Sequence, residues 1–163
     1  MNLQLNNKIG TFPDFEISRL AESGFISNFD ANCVNPSSYD LRINGDIYEL
    51  PHSFQVSRGQ TILQTMKDIG YTRISVCSPL LEDKYYVVFI EEDVDLPKDI
   101  YGYANPKSTI GRLDLHTRLL ADRVCQYDTL SKGFSGKLAG LVTPKSFPVL
   151  LHEDTPLNQM RFF

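Results

Sequence analysis

The stretch Asn35-Pro36-Ser37-Ser38-Tyr39-Asp40-Leu41-Arg42-Ile43-Asn44-Gly45-Asp46-Ile47-Tyr48-Glu49-Leu50 alternates apolar and polar side chains, breaks at Asn-Gly-Asp, and resumes. A period of two places Tyr39, Leu41 and Ile43 on one face of a strand and Asp40 and Arg42 on the other. Short apolar runs bounded by Asn, Gly, Asp and Pro recur to the end of the chain. They predict strands over residues 39–43, 47–50, 73–76, 85–91, 100–104, 118–121, 137–142, 148–151 and 159–163, the pattern of an all-β sandwich or barrel. Before this region, Thr11-Phe12-Pro13-Asp14 carries helix-start signals. Phe15, Leu20 and Ala21 share an apolar face, and Gly24 stands where a C-terminal cap belongs. Thr61, Ile62, Leu63, Met66 and Ile69 before Gly70 read as a second short helix or a decorated loop, and residues 108–115 as a helical turn facing a ligand. The expected fold class is mainly β, with a short N-terminal helix and one or two short helical insertions.

At 163 residues the chain reads as a single domain, 1–163, large enough to bury roughly 70% of its unfolded surface. Its apolar residues are spread along the whole length and leave no low-complexity segment. Cys33, Cys77 and Cys125 are odd in number and far apart, and no apolar run near Met1 has the form of a signal peptide or membrane span. The expectation is a cytoplasmic protein with no membrane contact and reduced, mostly buried thiols. A net charge of −4 argues against broad nucleic-acid binding but leaves room for a local basic pocket.

Such a pocket is suggested by Ala104-Asn105-Pro106-Lys107-Ser108-Thr109-Ile110-Gly111-Arg112-Leu113, which gathers two cations and two hydroxyls around a glycine. Hydroxyls and turn N–H groups donate to phosphate oxygens, Arg112 can hold two oxygens at once, and Lys107 adds a point charge. The alternative is a solvated loop. Lys107-Ser108-Thr109-Ile110-Gly111-Arg112-Leu113 resembles the motif of the dCTP deaminase family: a basic residue, two hydroxyl residues, two variable positions and an arginine. The stretch from Asn35 to Arg42 resembles the family's early "QPASLDLRL" strand, in which Asp40 and Arg42 either pair with each other or touch the ligand. Residues 121–136, Ala-Asp-Arg-Val-Cys-Gln-Tyr-Asp-Thr-Leu-Ser-Lys-Gly-Phe-Ser-Gly, resemble the family's Asp followed by Gly-aromatic-x-Gly. The longer spacing from Asp128 to Gly133 is similar to the N-terminal half of the long tandem-domain bacterial dCTP deaminases. Their Asp-Arg and Pro-Arg-Thr-Phe segments resemble Asp122-Arg123 and Pro144-Lys145-Ser146-Phe147 here.

The resemblance implies the distorted β-barrel of the dCTP deaminase/dUTPase superfamily. It implies a deoxynucleoside triphosphate of the dCTP or dUTP type with Lys107, Ser108, Thr109 and Arg112 on its phosphates. Asp128 would lie near the sugar or base, Phe134 at the nucleoside end, and magnesium would arrive on the triphosphate. The nominal reaction is dCTP plus water to dUTP plus ammonia with no metal at the base: water attacks C4 while a glutamate shuttles the proton, a role contributing on the order of 10² to 10⁴ in rate. Counting five residues on from Gly136 places that glutamate at Leu141, and no Asp or Glu occurs between Thr129 and His152. Leu141 reads instead as a core strand residue with Leu138, which leaves Asp128 as the possible catalytic carboxylate. Two alternatives follow: a catalytically silent nucleotide-binding or structural domain partnering an active homologue, and a dUTPase using Asp128 and Phe134. The signature of zinc deaminases, His-x-Glu with Pro-Cys-x-x-Cys, is absent, so no protein-bound zinc is expected, and His52, His116 and His152 read as surface or core residues. The family resemblance further implies a homotrimer or assembly with a second family domain. Residues 157–163 resemble the last core strand, and the expectation is that a lid over the nucleotide comes from a partner or is missing.

Overall fold

The computed structural model describes residues 10–163; the Met1 segment, expected to carry no signal peptide, lies outside them. Helix α1 (Asp14–Glu22) precedes β1 (Val34–Asn35) and β2 (Ser38–Leu50). Helix α2 (Ile62–Ile69) leads to β3 (Thr72–Ile74), β4 (Tyr85–Ile90), β5 (Val94–Asp95) and β6 (Gly102–Pro106). The short helix α3 (Ser108–Arg112) is followed by β7 (Leu115–Ala121), β8 (Thr129–Leu130), β9 (Ser135–Gly136), β10 (Leu138–Pro144) and β11 (Pro156–Phe162).

The main sheet is antiparallel and runs β7-β10-β4-β2-β11-β6-β8, with β1 and β3 also on β2, while β5 and β9 form a separate ribbon. Asp128 joins the two ends of this order. Its N–H donates to Leu119 O of β7 at 2.9 Å, the Leu119 N–H donates to its Oδ1 at 2.7 Å, and the Ala104 N–H of β6 donates to its carbonyl at 2.7 Å. The sheet thus becomes the nearly closed, dUTPase-like distorted barrel expected. Asp128 occupies the left-handed region, φ 62°, which Asp tolerates better than most side chains.

Strand β2 is continuous where two strands were expected. The Asn44-Gly45-Asp46 break is an irregularity in the pairing with β4 between Ile43 and Ile47, with Gly45 at φ +83°. The Asp46 N–H donates to Asn44 Oδ1 at 3.0 Å. The dipeptide that suggests a chain reversal therefore makes a bulge, because a positive φ serves either purpose. Residues 148–151 hold no strand. A single bridge, Leu80 to Val149, replaces it, and Pro148 brings no N–H for a ladder.

Along α1 the buried residues are Ile17 and Leu20, whereas Phe15, expected on the same face, is 55% exposed. The 61–70 segment is a helix. Its capping box has the Gln64 N–H donating to Thr61 Oγ1 at 3.2 Å and the Thr61 N–H donating to Gln64 Oε1 at 2.7 Å. The buried face Ile62, Thr65, Met66 follows the helical period.

Two apolar layers result. Tyr39, Leu41, Ile43, Val88, Leu119, Leu138 and Phe162 belong to the main core, while Leu50, Ile62, Met66, Val87, Leu120 and Leu141 form a second cluster that includes α2. Leu138 and Leu141 are both buried, but three residues apart on a strand they face opposite sides and join different clusters. Cys33 is half-buried and Cys77 and Cys125 are exposed, so the thiols are not mostly buried as expected. Cys125 stands in the connection from β7 to β8, and Cys77 in that from β3 to β4. Among the described residues no helix is long and apolar enough to cross a membrane.

Candidate functional site

Helix α3 begins where β6 ends. The Lys107 N–H donates to Leu157 O of β11 at 3.0 Å, and the Lys107 carbonyl accepts the N–H groups of Ile110 and Gly111 at 3.0 and 3.1 Å. Buried Ile110 anchors the turn, which leaves Ser108, Thr109 and Arg112 exposed. These three side chains make no hydrogen bond or ion pair among the described residues, so their donors are available. Lys107 differs: its ammonium contacts the Asp40 carboxylate on β2.

That contact overturns an Asp40–Arg42 pair. Arg42 turns instead to Glu92, which is wholly buried. The Glu92 carboxylate accepts Arg42 Nε–H at 2.8 Å, the Arg42 N–H at 3.0 Å and the Tyr39 hydroxyl at 2.9 Å. Residues i and i+2 on a strand lie roughly 7 Å apart, and each of these two found a closer partner on another segment. Asp40 therefore borders the α3 site through Lys107, whereas Arg42 belongs to a separate buried network.

Asp128 is 3% exposed. One carboxylate oxygen accepts the Leu119 N–H, and the other lies 3.1 Å from Arg118 Nε. Burial pushes its pKa above the ordinary value, with the Leu119 N–H and the Arg118 guanidinium pulling the other way. Phe134 is 5% exposed within the main core, its carbonyl accepting the Leu96 N–H at 2.7 Å. The structure thus groups Lys107, Ser108, Thr109 and Arg112 on one turn, while Asp128 closes the barrel and Phe134 packs inside it.

Leu141 lies on β10 between Val87 of β4 and Arg118 of β7. It lines a pocket of about 240 Å³ with two tyrosines, Tyr85 and Tyr127, two hydroxyl residues, Ser53 and Thr143, and three basic side chains, His116, Arg118 and Lys145. No Asp or Glu lines it. The Arg118 guanidinium sits 5.5 Å from the centre of the Tyr127 ring, and the Tyr127 hydroxyl donates to Phe54 O at 2.6 Å. The Lys145 N–H donates to Asp114 O at 3.0 Å, which ties the pocket to the segment just after α3. Sequence reasoning missed these neighbours. Strand alternation was the available signal, since His116 and Arg118 share one face of β7 as Leu141 and Thr143 share one face of β10. His52, His116 and His152 are all exposed. Among the described residues no three His, Cys, Asp or Glu side chains are grouped so as to hold a metal ion.

The chain matches the family model of the 2'-deoxycytidine 5'-triphosphate deaminase (DCD) N-terminal domain over residues 8–163, and it belongs to that family. It is also similar to the crystal structure of 2'-deoxycytidine 5'-triphosphate deaminase from Agrobacterium tumefaciens, with a TM-score of 0.87 and 29% sequence identity. The match covers 94% of this chain and 47% of that one, so the chain spans about half the length of that enzyme. No curated protein matches the chain by sequence.

Proposed function

We propose that this family member binds a pyrimidine deoxynucleoside triphosphate without deaminating it. The observation that carries the reading is Leu141: an apolar side chain 7% exposed in a pocket that no carboxylate lines. Attack of water at C4 needs a group that takes its proton and returns it to the leaving amine. Loss of such a base raises the barrier by roughly 3 to 5 kcal/mol. Asp128 is a poor substitute, since both of its oxygens are already engaged, and the same engagement counts against its positioning water in the dUTPase reaction.

The phosphate end is supported by the free donors of Ser108, Thr109 and Arg112 beside Lys107. Arginine binds phosphate oxygens through charge-assisted, often paired hydrogen bonds. Magnesium would reach the chain on the triphosphate oxygens, with no resident protein site required. A homotrimer, or assembly with a second family domain that keeps the glutamate, would give a silent domain a role in completing a neighbour's site.

The test is calorimetry of the purified chain with dCTP, dUTP and magnesium, with ammonia and pyrophosphate followed in the same samples. Binding without either product is the expected result. Ammonia from dCTP would overturn the silent reading, pyrophosphate from dUTP would move the chain to the dUTPase branch, and no binding heat with either nucleotide would remove the nucleotide.

A further inference from the structure

We infer that the Leu141 pocket takes a 4-oxopyrimidine in preference to a 4-aminopyrimidine, a step that rests on the nucleotide-binding reading above and names its base. At about 240 Å³ the pocket is smaller than the 300–1,000 Å³ typical of sites that enclose a whole ligand. It admits a base and leaves the sugar and phosphates outside. In a pyrimidine nucleoside the sugar is on N1, and C4 lies across the ring from it. The C4 substituent is therefore the part that travels deepest, toward Leu141.

Arg118 stands directly opposite Leu141 in the β10–β7 register, and directly opposed residues project from the same face of a sheet. Its Nε is given to Asp128, while its two terminal NH₂ groups have no partner among the described residues. A guanidinium only donates. Two acceptors beside it are already engaged: Asp128 holds the Leu119 N–H and Arg118 itself, and Phe54 O holds the Tyr127 hydroxyl. The Ser53, Thr143 and Tyr85 hydroxyls and the His116 ring, which also line the pocket, can donate or accept, so they suit either base and do not discriminate; the discrimination rests on Arg118. An oxo group at C4 meets a charged donor. An amino group brings two N–H bonds to the same wall with no carboxylate to receive them, although a carboxylate is the side chain that ordinarily accepts from the cytosine amine. The Arg118 side chain is 58% exposed, so its preference for an oxo group is that of a partly solvated charged donor.

The experiment compares dUTP with dCTP by calorimetry at equal magnesium. Both carry the same triphosphate, so their difference reads the base alone. The expected result is dUTP binding tighter by about tenfold or more, the scale of one hydrogen bond to a charged group. Arg118→Gln, whose amide both donates and accepts, should bring the ratio close to one in protein shown to be folded by thermal melting. Leu141→Gln, which adds an acceptor at the same wall, should move the ratio toward dCTP and serves if the Arg118 variant does not fold. Arg112→Ala should weaken both nucleotides alike. Equal affinities, or tighter dCTP, in the unsubstituted chain would overturn the preference and leave nucleotide binding standing. A preference that persists unchanged in the folded variants would remove Arg118 from it, and binding of neither nucleotide would overturn the preference together with the reading beneath it.

Discussion

The turn around α3 and the strand face around Leu141 differ in what surrounds them. At α3, Ser108, Thr109 and Arg112 face solvent and only Ile110 is buried. Leu141 shares an apolar cluster with Leu50, Phe54, Val56, Ile62 and Met66, supplied by the end of β2, the 51–61 connection and α2, and it also lines the pocket beside Arg118. Exposed donors on a turn retain their chemistry whatever packs nearby. A strand position at the edge of an apolar cluster is subject to the packing of that cluster, where a leucine is favoured by burial. An exposed turn and a strand position beside a core are therefore under different constraints within one fold.

The largest expected effect tests whether the cluster around Leu141 is a true core. Ile62 is fully buried, and Ile62→Ala should cost about 2–5 kcal/mol of stability by thermal or denaturant unfolding; a change under about 0.5 kcal/mol would break the contrast. Next comes Asp128, which joins the two regions by closing the barrel. Asp128→Ala should cost about 1–3 kcal/mol, because the Leu119 N–H loses its acceptor. Asp128→Asn adds a pH signature. The folded pKa is raised above 3.8, so the folded state binds more protons in that window and this group's contribution to stability falls as pH rises through it. Melting curves should show the unsubstituted chain gaining on Asp128→Asn as pH is lowered from 7 toward 4, and a constant difference would mean that Asp128 does not titrate there. On the α3 side, Arg112→Ala should weaken triphosphate binding about tenfold, or ~1.4 kcal/mol, while melting stays within about 0.5 kcal/mol as for other exposed sites. Unchanged affinity would remove the phosphate assignment. The smallest effect is on the cap of α2: Thr61→Ala should cost about 1 kcal/mol, measured by the same unfolding curves.

Much of this arrangement could be read from consecutive residues. The alternation Tyr39, Leu41, Ile43 marked a half-buried strand, the Thr61–Gln64 pair marked the start of α2, and residues 107–112 marked the turn with its donors. These signals live within a few residues of one another, where backbone geometry alone decides which side chains share a face. Reading failed where geometry had two outcomes. Asn44-Gly45 supports a reversal or a bulge, and the bulge was selected by the pairing of β2 with β4 on both sides of it. Phe15 fits the apolar stripe of α1 but ends up exposed, because a helical stripe says which residues align and not how far the neighbouring elements reach.

By itself the sequence determined the β-rich class, the residues of the α3 turn and the absence of a carboxylate at position 141. Only the tertiary structure decided the partners: Lys107 for Asp40, Glu92 for Arg42, Leu119 and Arg118 for Asp128, and the α2 cluster for Leu141. The physical reason is that most of these contacts join separate elements of the fold. Strand register and sheet order set them, and those are properties of the whole barrel.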